Sequence, residues 1–234
     1  MSDITINYKG SAIATMDASG TKTLLTEGQY CEDDIEVVYV QPSGGGDNLP
    51  DFLMNNTTAI EDATVTKLRD NACRSATNLT SVKVPNCTAV GSSCFYGCSN
   101  LHVLAFPSLS QDGLSGSSIA SSGVQTLDLG ASFGRIKSGN IQNAANLNIL
   151  ILRNTSLVSL ANASQFGGTK FANGSTGGTI YIPKTLYDHL GDNSSLDYKA
   201  ASNWSTVNGY GTITWAKIEG SIYETQYADG TPVT

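Results

Sequence analysis

The chain opens with four short stretches in which apolar and polar residues alternate, ITINY, SAIATM, TKTLLT and DIEVVYV, divided by turns that contain Gly or Asp. A period of two puts every second side chain on one face, so each stretch is predicted as a short half-buried strand. Together they form a small all-β module, residues 1–40. About 40 residues is close to the lower limit for independent folding, and the module is expected to lean on a partner or on a second copy. The next segment, QPSGGGDNLP at 41–50, has the glycines and flanking prolines of a flexible connector.

Beyond the connector the pattern changes from single strands to a repeat. NLTSVKVP at 78–85 lies on NLHVLAFP at 100–107 with an offset of 22 residues. The same template, one Leu or Val followed by two alternating apolar positions, recurs as Val124, Leu127 and Leu129, then as Leu147, Leu150 and Leu152. A last copy, GGTIYIP, carries Ile180, Ile182 and Pro183. A period in the twenties predicts a leucine-rich-repeat solenoid of about five stacked parallel strands, because a single coil cannot bury its own apolar edge and must share a core with its neighbours. The solenoid is expected over 51–224. MNNTTAIEDATVTKLRDNACRS (54–75) serves as the N-terminal cap, with Ile60, Val65 and Leu68 closing the first coil. Leu186, Tyr187, Leu190, Tyr198 and Trp204, in a looser and helix-compatible spacing, cover the last coil. GTITWAKIEG reads as a final strand, and the polar tail 225–234 is expected to be mobile.

Composition agrees with a mostly β protein, since charged residues are only 14% and Gly, Ser, Thr and Asn are abundant. A formal charge of −7 with no Lys/Arg cluster argues against nucleic acid as a partner. The start lacks a basic region followed by an apolar one, and no apolar run approaches the ~20 residues that span a bilayer. Synthesis and folding in a cytosol, without membrane insertion, are therefore expected.

The stretch SSCFYGCSNLHVLAFPSL raises the possibility of a metal site, with Cys94, Cys98 and His102 close together. Within the repeat, however, Cys73, Phe95 and Ile141 are equivalent, and so are Ala76, Cys98 and Ala144. The cysteines thus fill small buried slots. Cys73, Cys87, Cys94 and Cys98 also lack the paired spacing of a zinc site, so no metal and no cofactor is expected. Five cysteines without an export signal are read as reduced thiols. The glycines of FANGSTGGTIYIP lack the Lys and Ser/Thr of a phosphate loop, no Gly-x-Ser-x-Gly elbow occurs, and the acidic run CEDDIE lacks the alternating ligands of a calcium loop. No catalytic constellation emerges, and the chain reads as non-enzymatic.

Strand alternation yields two outward ladders: Ser81, Val103, Thr126, Ile149 and Thr179, and Lys83, Ala105, Asp128, Ile151 and Tyr181. Apolar side chains among polar ones on such a face mark contact surfaces. His102, Val103, Ala105, Asp128, Ile149, Ile151 and Tyr181 are the candidate partner-binding residues.

FYGCSNLHVLAFPSL, with NLTSVKVPNCTAVGSSCF before it, resembles the BspA-like leucine-rich-repeat family, whose coils read Phe, two residues, Cys, one residue, Asn-Leu, then an alternating strand ending in Pro. The third and fourth coils depart from it, with Ser or Ala for the cysteine and Gly130 and Arg153 where Pro is expected. TLDLG, LILRNTSLVSL, GGTIYIPKTLYD and YKAASNWSTV look like parts of repeat proteins encoded by tailed phages and prophages of gut bacteria. ITINYKGSAIATMDASGTKTLLTEGQYCEDDIEVVY is similar to modules that begin phage virion proteins. The resemblance implies a virion protein, tail-associated, made in the bacterial host cytoplasm. Residues 1–40 would join other virion proteins, and the solenoid would recognise a bacterial surface protein or glycan, with a homo-oligomer as one arrangement. The alternatives are a head decoration or fibre protein, and a bacterial interaction protein of the cytoplasm or cell surface.

Overall fold

The computed structural model describes residues 65–218 continuously, the strand Ala59–Glu61, and four strands nearer the N-terminus. The connector 41–50, the acidic run 31–36 and the tail 225–234 lie outside the described residues. The four early strands are β1 (Ile4–Tyr8), β2 (Ser11–Met16), β3 (Lys22–Leu24) and β4 (Val38–Tyr39), one in each alternating stretch. They form an antiparallel sheet in the order β3-β2-β1-β4.

The rest is a parallel stack. β5 (Ala59–Glu61) pairs with β7 (Ser81–Lys83), and β6 (Lys67–Leu68) with β8 (Ala89–Val90). A five-stranded sheet in the order β15-β14-β12-β10-β9 is built from β9 (Val103–Phe106), β10 (Thr126–Leu129), β12 (Ile149–Leu152), β14 (Gly178–Pro183) and β15 (Ile213–Ile218). All its pairings are parallel, with Leu104, Leu127, Leu150, Ile180 and Trp215 side by side across it. The period thus predicts a parallel sheet of the right size, but its membership differs. β7 lies beside β9 without joining its ladder, and the predicted final strand joins as β15.

A second, narrower ladder runs along another side of the coils. β11 (Arg135–Ile136) pairs with β13 (Ser159–Leu160), and a single bridge joins Val90 to Leu114. Leu68, Val90, Leu114, Ile136 and Leu160 therefore recur once per coil, all buried. They meet Leu79, Leu101, Val124 and Leu147 in one continuous core with the inner residues of the large sheet. Each fully buried Leu or Val adds about 2 kcal/mol of hydrophobic stabilisation.

The third side is made of turns held in a repeated conformation. Asn71, Ser93, Ser117 and Gly139 have positive φ, and so do Ser75, Gly97, Ser121, Asn143 and Gly168. Interleaving left-handed residues with ordinary ones lets alternate peptide groups point along the stack rather than across it. Asn71, Cys73 and Ser75 donate their N–H groups to the carbonyls of Ser92, Cys94 and Tyr96, and Ser93 and Phe95 donate to Gly116 and Ser118. Ile119 and Ser121 donate in turn to Asn140 and Gln142. Coils that bond this closely leave no room for side chains at crossing points. A Cβ on Gly123 would lie 1.9 Å from the Ser99 carbonyl oxygen.

The narrow ladder ends at β13, and among the described residues no further strand pairs with it there. Side chains of the C-terminal cap take over. The Tyr198 hydroxyl accepts from the Val158 N–H at 2.9 Å, the Trp204 indole donates to the Val158 carbonyl at 2.7 Å, and Asn203 donates to the Leu160 carbonyl at 2.9 Å. Tyr198 and Trp204 are fully buried and meet edge to face; Trp204 also packs against Phe166, and Tyr198 stacks on Trp215. Burial also pushes the Tyr198 phenol well up from its ordinary ionisation range.

Two substitutions test these roles. Gly123→Ala should lower the unfolding free energy by about 2–3 kcal/mol through overpacking against a rigid backbone. Trp204→Phe keeps an aromatic ring but removes the donor to the Val158 carbonyl and part of the buried indole volume, and should lower it by at least about 1–3 kcal/mol. Urea denaturation followed by circular dichroism measures both, and values within error of the parent chain would refute the packing and capping roles.

Candidate functional site

The large sheet has an inner and an outer face, and the pairings fix which residues share the outer one. Val103, Thr126, Ile149, Thr179 and Thr214 form one outer row; Ala105, Asp128, Ile151, Tyr181 and Ala216 form the next. From β9 to β14 these are the rows that strand alternation predicts. Burial divides them. His102, Gln125 and Asn148, which precede the strands, are exposed, and Val103, Thr126, Ile149 and Thr179 are half-buried. In the second row, predicted to face outward with them, Ala105 and Ile151 are 0% exposed and Asp128 is 2% exposed, while Tyr181 is half-buried. Ala105 and Ile151 nevertheless lie outside the main core.

The buried carboxylate of Asp128 is stabilised by a residue from the neighbouring coil. Arg153 donates from Nε to one carboxylate oxygen at 2.8 Å and from Nη2 to the other at 2.7 Å. This two-point geometry suits a planar guanidinium and offsets the desolvation of Asp128. Arg153 occupies the position where the first two coils have Pro85 and Pro107. The departure from the repeat pattern therefore supplies an ion pair on the outer face. His102 lies at one end of this face, whereas His189 is in the cap, 2.6 Å from Asp192, whose carboxyl it holds down to about 2.

The cysteines sit inside the coils. Cys73, Cys87, Cys94 and Cys98 are free and buried. Cys98 donates to the Cys73 carbonyl at 2.9 Å and Cys87 to the Ala89 carbonyl at 3.2 Å. Among the described residues no group of three or more His, Cys, Asp or Glu is arranged to hold a metal ion. A hydrogen bond with Cys94, and then burial, hold the Cys73 thiol well above its ordinary value; burial raises Cys87 to about 11 and Cys98 to about 12. These thiols stay protonated and unreactive in the fold.

Sequence reasoning placed Tyr198 and Trp204 in the cap but missed three features: the second ladder, the hydrogen bonds by which cap side chains meet the backbone, and the Arg153–Asp128 clamp. The first was available as Leu68, Val90, Leu114, Ile136 and Leu160, spaced by 22 to 24 residues. The others join residues from different coils, and only the register of the stack brings them together.

A solenoid whose coils each add one strand to a large parallel sheet, with a buried Leu or Val before that strand at 79, 101, 124 and 147, defines a leucine-rich-repeat protein. The BspA-type leucine-rich-repeat model matches residues 62–190 in six copies, more than half of the chain, and the chain belongs to that family. No curated protein matches it significantly.

The thiols give the fold a pH dependence. Their pKa values are higher in the folded state, so their contribution is complete below the ordinary thiol value of 9.0 and is lost as pH rises towards about 11 for Cys87 and about 12 for Cys98. Melting temperature should fall across that range. In Cys98→Ala, whose residue already fills the equivalent slot at Ala76 and Ala144, the fall should be shallower. An equal slope in both proteins would exclude the Cys98 contribution.

Proposed function

We propose that the chain is a non-enzymatic structural protein of a phage virion, a tail-associated adhesin that uses its solenoid to recognise the host surface. The coarser part of this reading, a repeat domain suited to protein interaction, follows from the family. The observation that carries the finer part is the outer row Val103, Thr126, Ile149 and Thr179, which the stack holds in line at strand spacing beside exposed His102, Gln125 and Asn148. A row of small polar and aliphatic groups on a rigid sheet needs little ordering on binding, which favours contact with an extended surface partner. The similarity of the segments TLDLG, LILRNTSLVSL and GGTIYIPKTLYD to phage-encoded repeat proteins points to a bacterial surface protein or glycan as that partner. Residues 1–40 would join the chain to other virion proteins.

Purified particles and the isolated chain test the two parts separately. Mass spectrometry of particles should detect the full chain, and a version lacking residues 1–40 should be absent from them. The double variant Val103→Asp, Ile149→Asp should keep its melting temperature within a few degrees and bind host cells about tenfold more weakly, the effect expected when apolar contact groups are replaced by charge. Particles without the protein would overturn the virion reading. Undiminished cell binding by a folded double variant would overturn the role of the outer row.

A further inference from the structure

The end of the stack leaves a cleft that the interaction row does not use. β15 is the last strand, and no later coil among the described residues covers its inner face, so Ile213 and Trp215 remain half-buried there. With Tyr187, Leu190, Lys199 and Asn208 they line a cleft of about 400 Å³. This is at the small end of ligand sites, with room for one or two pyranose rings. The cleft adjoins the inner face of β15, on the side opposite to Thr214 and the outer row.

Its chemistry is particular. Trp215 is held on three sides: Tyr198 stacks with its ring at 5.3 Å and an angle of 28°, Trp204 packs at 6.0 Å, and the indole N–H donates to the Asn208 side-chain oxygen at 2.9 Å. That last bond fixes the amide so that its NH₂ group remains as a donor. Lys199 is the one charged residue among the described lining groups. Of the cap carboxylates, Asp188 pairs with Lys184 and Asp192 with His189, while Asp197 accepts from the backbone N–H groups of Asn193 and Lys199. Aromatic faces carry partial negative charge and attract the C–H face of a sugar ring, while an amide and an ammonium suit hydroxyl and carboxylate groups.

We infer that this cleft is a second binding site, for a short saccharide carrying a carboxylate, with Trp215 and Tyr187 as ring contacts, Asn208 as hydroxyl donor and Lys199 as the carboxylate partner. The site is separate from the outer row, and neither reading depends on the other.

The test uses the full chain labelled with ¹⁵N and titrated with D-galacturonate, D-galactose and acetate, while the two indole N–H resonances are followed. Galacturonate should shift the Trp215 resonance with a dissociation constant on the order of 1 mM, as suits a ligand of this size. Galactose should bind about threefold more weakly and acetate should give no saturable shift. Lys199→Gln should abolish the preference for galacturonate, and Tyr187→Ala should weaken both sugars about fivefold. Melting curves and an unmoved Trp204 resonance verify the fold of each variant. No saturable shift from either sugar, a shift from acetate equal to that from galacturonate, or equal binding by both folded variants would overturn the proposal.

Discussion

Each coil of this protein depends on its neighbours for the partners of its backbone groups. Short strands on two sides and bent turns on the third all direct N–H and C=O groups along the stack, and a coil alone would leave them without partners. The recurrent left-handed Ser, Asn and Gly residues follow from this requirement, because within the turns they let alternate peptide groups point along the stack. The bare glycines at crossing points follow from it as well, since bonded coils approach too closely for a Cβ. So does the cap, in which a tyrosine, a tryptophan and an asparagine bond the backbone of Val158 and Leu160 where the narrow ladder ends.

The outer face shows how departures from a repeat acquire specific roles. In the first two coils the position after the strand is proline, which ends pairing. In the fourth it is Arg153, free to reach across to Asp128. The consequence is a face with two characters. Its N-terminal margin is partly solvated, whereas its middle is closed around an ion pair between small and aliphatic neighbours.

Much of the architecture was legible in the sequence because a solenoid writes its core as a period. Leu79, Leu101, Val124 and Leu147 announce the coils, and the pairing of Thr126 with Val103 and Ile149 is what alternation within each copy predicts. The equivalence of Cys98 with Ala76 and Ala144 similarly marked the cysteines as slot fillers, and all three are buried. Exposure was harder to read. Alternation assigns Ile151 and Ala105 to the outer face but does not say what else lies against that face. The cleft at the end of the stack was not legible either. Lys199, Asn208 and Trp215 lie beyond the matched repeats, and the fold of the chain's C-terminal part brings them to Tyr187.

One property of the turn side extends beyond packing. Across its successive turns the bonds from Asn71, Cys73 and Ser75, from Ser93 and Phe95, and from Ile119 and Ser121 run from an earlier N–H to a later carbonyl. Peptide dipoles aligned in this way add, as they do in a helix, and here the positive pole lies towards the C-terminal end. Formal charge is mixed at both ends, with Asp70 among Lys67, Arg69 and Arg74 in the first coil, and Lys184 and Lys199 among Asp188, Asp192 and Asp197 in the cap. Elsewhere along the stack bonds such as those from Gly91 to Leu68, Gly134 to Gln111 and Ala161 to Ile136 run from a later N–H to an earlier carbonyl, so the turn side is electrically as well as geometrically directional in its own right.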